Sequence, residues 1–106
     1  MTAQVQSVLV ELRRRLEPLY GDRLVQLVLY GSQARGDAEP GSDIDVLVVL
    51  RGLVNPGQEI SKTGKITASL SLSCDVVISC VFLSDEEFAR EQSPLLLNAR
   101  REGVAV

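Results

Sequence analysis

The sequence predicts an α/β or α+β domain built on a small sheet, and three observations lead there. Apolar residues recur at helical spacing near the start, short aliphatic and β-branched runs follow, and helical signals alternate with strand-like ones to the end. With 106 residues there is room for one core, so residues 1–106 are read as a single domain. A composition of 45% hydrophobic and 24% charged residues argues against wholesale disorder.

Val5, Val8, Leu9, Leu12, Leu16 and Leu19 fall at helical spacing, which predicts an amphipathic helix over 3–19 with Arg13, Arg14 and Arg15 on its solvated side. Gly21 and Asp22 end it, and Leu24 to Tyr30 reads as a strand. Residues 31–42 are turn-rich, with a short helix open to residues 33–36. Asp43 to Leu50 forms a second strand, apolar on both faces past its first three residues, as expected of a strand covered on both sides. Residues 51–57 read as a loop. Over 58–71 the sequence is ambiguous: Ile60, Thr63, Thr67 and Leu70 suggest a helix that Gly64 and the hydroxyl residues weaken. Cys74 to Leu83 is expected to be a third strand. Ser84-Asp-Glu-Glu87 has the capping-box pattern of a helix start, and Ser93-Pro94 opens a last helix that Gly103 closes.

Composition removes several chemistries. There is no His, which excludes Ser-His-Asp and Cys-His nucleophiles, His-ligated zinc and His general bases. The formal charge of −3 and aromatic content of 4% argue against direct binding of bulk nucleic acid. Cys74 and Cys80, six apart on the expected third strand, share a face and are too distant to bridge, so they read as reduced core residues of a cytoplasmic protein. The start lacks a secretory signal and no apolar run is long enough to span a bilayer.

The informative feature is a strand-loop-strand unit: Tyr30-Gly31-Ser32, ten residues, then Asp43-Ile44-Asp45. Strand periodicity places Asp43 and Asp45 on one face, roughly 7 Å apart at their Cα atoms. Two carboxylates so held repel each other, and a divalent cation, usually magnesium beside phosphates, resolves the conflict. Gly31 lets the backbone approach a ligand closely, and Ser32 brings a hydroxyl and an amide N–H. Arg35 and Ser42 are further candidate phosphate contacts. Asp75, expected to open the third strand, supplies a third carboxylate. Three acids on adjacent strands suit a two-metal phosphoryl-transfer centre, with Asp75 holding the catalytic ion or accepting the acceptor's proton.

Gly31-Ser32 and Asp43-Ile44-Asp45, within Gly-Ser-Gln-Ala-Arg-Gly-Asp-Ala-Glu-Pro-Gly-Ser-Asp-Ile-Asp-Val-Leu-Val, resemble the nucleotidyltransferase signature of the DNA polymerase beta superfamily. The chain is similar in particular to the minimal nucleotidyltransferases, through its leading helix, this motif, Asp75 in Cys-Asp-Val-Val-Ile, and the closing Ser-Pro-Leu-Leu-Leu-Asn-Ala-Arg-Arg-Glu-Gly. The resemblance implies a small mixed sheet with helices packed on it and transfer of a nucleoside monophosphate from a triphosphate, ATP here, to a hydroxyl. It implies Gly31 and Ser32 on the triphosphate, Asp43 and Asp45 on two Mg2+ ions, and Asp75 in the third carboxylate role. Members are often encoded beside a small helical ribonuclease toxin of the HEPN type and act as its antitoxin, some by adenylylating a tyrosine on it.

Larger relatives carry an extra domain that grips the acceptor, which 106 residues do not provide. The leading expectation is therefore an adenylyltransferase that modifies and silences a HEPN-type partner. A second is an antitoxin that neutralises by binding alone, and a third is modification of a small molecule. The apolar area left over on so small a chain is available for a partner or for self-association.

Overall fold

The computed structural model describes residues 2–39 and 41–106; Met1 and Pro40, the latter within the predicted turn, lie outside the described residues. Helix α1 (Ala3–Tyr20) begins where the Thr2 hydroxyl accepts the Val5 N–H at 3.1 Å, and a 3-10 turn over Gly21–Arg23 leads into β1 (Leu24–Tyr30). Four residues of helix, α2 (Ser32–Arg35), and a loop precede β2 (Ile44–Leu50). Then come α3 (Pro56–Cys74), β3 (Ile78–Ser84), α4 (Asp85–Arg90), α5 (Pro94–Glu102) and the short β4 (Val104–Ala105).

The four strands form one mixed sheet in the order β3-β2-β1-β4. β1 runs antiparallel to β2 and to β4, whereas β2 and β3 are parallel, as the α3 crossover between them requires. Alternation along β2 sorts the core into two layers. Ile44, Val46, Val48 and Leu50 pack beneath α1 and α3, against Leu9, Leu12, Leu16 and Leu70. Leu47 and Val49 face the other way and pack with Val28, Leu83 and, from α5, Leu96 and Ala99. The second strand is thus covered on both faces, as its unbroken apolar run predicts.

Three expectations change. The ambiguous 58–71 segment is the interior of a helix starting at Pro56, with the Asn55 side chain accepting the Gln58 N–H at 3.3 Å as its cap. Its inner face carries polar groups that find partners: Thr63 donates to the Glu59 carbonyl at 2.9 Å, and the buried Glu59 accepts the Tyr20 hydroxyl at 2.9 Å. The third strand does not begin at Cys74. Helix α3 continues through it and closes when the N–H groups of Asp75 and Val76 both donate to the Ser71 carbonyl, with Asp75 in the left-handed region (φ 54°, ψ 50°). Those two amides are committed to the helix end, so the strand starts at Ile78. Cys74 and Cys80 consequently sit on different elements, α3 and β3, and both are free thiols. The capping box at Ser84 and Glu87 is present as predicted. Among the described residues no helix is long and apolar enough to cross a membrane.

Candidate active site

β1 ends on Tyr30, and the antiparallel ladder sets Tyr30 directly across from Asp45. The next residue, Gly31, adopts φ 74° and ψ −158°, a conformation essentially confined to glycine. It is also crowded: a Cβ added there would lie 2.7 Å from Asp45 Oδ2. The turn therefore presses its backbone against the Asp45 carboxylate. α2 starts at once, the Gly31 carbonyl accepting the N–H groups of Ala34 and Arg35, both at 3.1 Å. The amides of Ser32 and Gln33, in its first turn, have no intrahelical acceptor and are the natural donors to an anion beside the carboxylates.

Asp43, just before β2, and Asp45, its second residue, lie near enough for their charges to interact. Burial first, and then the charge of Asp43, hold the Asp45 carboxyl above its ordinary range. Among the described residues neither carboxylate takes part in an ion pair. Two neighbouring carboxylates outside any ion pair fit a hard divalent cation, which supplies positive charge and accepts oxygen ligands. Tyr30, which sequence reasoning left aside, borders the same site. Burial and then the Asp45 charge push its phenol up, so it stays protonated and able to donate.

The remaining predicted residues are placed differently. Arg35 is exposed on α2 and bonds Asp37 Oδ2 at 3.2 Å and Glu102 Oε2 at 3.4 Å. The Ser42 carbonyl accepts Gln33 Nε2 at 3.3 Å, which ties the loop back to α2. Ser42 and Asp75 both line a cavity of about 750 Å³, with Thr2, Gln33 and Ile44, and neither Asp43 nor Asp45 reaches its wall. Asp75 caps α3 instead of opening β3, and among the described residues no three acidic or cysteine side chains gather closely enough to hold an ion. The expected convergence of three carboxylates is corrected to a pair. In the parallel ladder the residue beside Asp45 is Ser79, which the sequence reading passed over.

Comparison with known proteins gives a consistent result. The family described as nucleotidyltransferase domain matches residues 9–101. A protein of Methanocaldococcus jannaschii named "Putative protein adenylyltransferase MJ0141" is 32% identical over 76 residues, covering 72% of this chain and 76% of its own length. The fold overlays on a chain of a toxin-antitoxin crystal structure with AMP-PNP at a TM-score of 0.65 and 16% identity, covering 98% of this chain and 72% of that one. It also overlays on a chain of a tri-AMPylated Shewanella oneidensis HEPN toxin in complex with MNT antitoxin. There the TM-score is 0.58 and the identity 19%, over 99% of this chain and 71% of that one.

Proposed function

We propose, on the footing that the chain belongs to the nucleotidyltransferase domain family, that it transfers adenylate from ATP to a tyrosine hydroxyl on a HEPN-type toxin and so acts as that toxin's antitoxin. The observation that carries the reading is the Asp43–Asp45 pair set against the Gly31–Ser32 turn. The relatives whose names and contexts mention adenylyl transfer to protein and toxin-antitoxin pairs support the choice of acceptor.

In this reading the first amides of α2 and the Ser32 hydroxyl bind the triphosphate, Gly31 keeps the approach open, and Asp43 and Asp45 hold magnesium. An ion held there would supply positive charge to the phosphate oxygens as their negative charge builds up. The acceptor oxygen forms its bond to the α-phosphorus while the bond from that phosphorus to the bridging oxygen breaks, pyrophosphate leaves, and the hydroxyl proton passes to solvent. Arg35 would assist a phosphate only by giving up Asp37 and Glu102, so its part is secondary. The half-buried Asp45 contributes most when its charge is expressed, which the ion favours.

Incubation with ATP labelled at the α-phosphate, magnesium and a HEPN-type toxin from the same genome tests the proposal. Label on a partner tyrosine that disappears with Asp45→Ala is the expected result. No label, or label undiminished in that variant, overturns it. One observation favours a second reading, neutralisation by binding alone: a serine rather than a carboxylate stands next to Asp45. A double Asp43→Asn, Asp45→Asn variant that still silences the toxin would support that alternative.

A further inference from the structure

β2 and β3 are seven-residue strands in full parallel register, Ile44 beside Ile78 and Leu50 beside Ser84. Asp45 is the second residue of one and Ser79 the second of the other. Register neighbours in a ladder project to the same face, roughly 4.8 Å apart. Packing agrees with this assignment, since Leu47 and Leu83 share the layer under α5 while Val46, Val48, Ile78 and Phe82 share the opposite one. On the Asp45 face β3 thus presents Ser79, Val81 and Leu83, of which only Ser79 carries an oxygen. That makes residue 79 the place on β3 from which a third carboxylate would meet the pair. A neutral hydroxyl fills it, while Asp75 lies on the wall of a cavity that neither Asp43 nor Asp45 lines.

The triphosphate supplies oxygens to an ion on its own side, whereas a second ion roughly 3.5–4 Å away, on the acceptor side, depends on protein carboxylates. Asp43 and Asp45 supply only one such set, and a serine hydroxyl is a weak substitute for a hard cation. We propose that, with nucleotide bound, this site holds a single divalent cation, and that Ser79 sets that count. The inference rests on the reading of Asp43 and Asp45 as metal ligands and corrects the two-ion expectation. A one-ion site lacks the second ion that would activate the acceptor hydroxyl, so the acceptor's deprotonation falls to water or to the acceptor's own groups.

The test titrates Mn2+ onto the full chain with a non-hydrolysable ATP analogue and reads the bound ions by electron paramagnetic resonance. The wild type is expected to bind one ion per chain with the spectrum of an isolated centre. Ser79→Asp should bind a second and show the magnetic coupling of a close pair. Asp75→Asn, which suits the left-handed cap, should leave the count at one. A coupled pair in the wild type, loss of an ion in Asp75→Asn, or a folded Ser79→Asp variant that stays at one ion overturns the inference. Should Ser79→Asp fail to fold, the wild-type and Asp75→Asn counts still decide. A wild type that binds nucleotide but no ion at all overturns the magnesium reading of the function itself, which separates the two failures.

Discussion

Gly31 joins the backbone to the chemistry, and replacing it with alanine separates two effects that are usually confounded. At φ 74° and ψ −158° the first effect is conformational, a cost of about 1–3 kcal/mol for any residue with a Cβ. The second is local: the new methyl would stand 2.7 Å from Asp45 Oδ2, closer than such atoms approach, and the carboxylate, being the free end of a side chain, gives way. Gly36→Ala is the natural control. It sits at φ 81°, ψ 11° with nothing within 4 Å of its would-be Cβ, so it carries a left-handed cost of about 1–2 kcal/mol and no displacement. At roughly 4–8 °C per kcal/mol for a domain of this size, both variants should melt lower, Gly31→Ala by about 4–24 °C. Only Gly31→Ala should also lose adenylyl transfer and Mn2+ binding, by tenfold or more, about 1.4 kcal/mol. Thermal melts and ion titrations on the two variants measure this. A Gly31→Ala protein that binds Mn2+ as the wild type does would refute the contact between turn and carboxylate.

Two further outcomes follow from the same geometry. Because burial and Asp43 hold the Asp45 carboxyl above its ordinary value of 3.8, the stability it lends is complete below that pH and is lost as pH rises through the raised folded value. Asp45→Asn should therefore melt higher than the metal-free wild type at pH 7, with the gap closing as the pH falls below about 4 and narrowing when Mg2+ is added; melts that differ equally at every pH would contradict it. Tyr20→Phe removes the hydroxyl that donates to Glu59, which is 3% exposed and otherwise has Lys62 at 3.6 Å. Leaving that carboxylate short of a partner should cost about 2 kcal/mol, or about 8–16 °C in Tm, with part of the loss recovered by adding Glu59→Leu, and a melt unchanged within about 2 °C would refute the role given to this bond.

β1, β2 and α1 were legible because their patterns are local. Residues 24–30 and 44–50 are apolar except for Gln26 and Asp45, and the α1 stripe repeats over four turns. α3 was hidden because its buried positions include Glu59 and Thr63, whose partners, Tyr20 and the helix's own carbonyls, come from outside any hydrophobic pattern. The start of β3 misread for a related reason. Cys-Asp-Val-Val-Ile looks continuous, and an aspartate rather than a glycine takes the left-handed cap, so the usual stop signal is missing. β4, two residues long, is too short to leave a pattern.

At the site, the Asp43–Asp45 pair and its nearness to Gly31 follow from period-two alternation and a short connection. The third position does not, because it depends on how far α3 carries the chain before β3 pairs with β2. One signal was available. Counting back from the Ser84 cap by the length of β2 places residue 79, not 75, beside Asp45.

The most direct trial of the central claim is a crystal of this chain grown with Mn2+ and a non-hydrolysable ATP analogue, with the ion located by its anomalous scattering. The account predicts a peak within coordination distance of both Asp43 and Asp45, with the triphosphate against Gly31 and Ser32. An ion and nucleotide seated instead in the cavity beside Ser42 and Asp75, leaving the pair on β2 untouched, would contradict it.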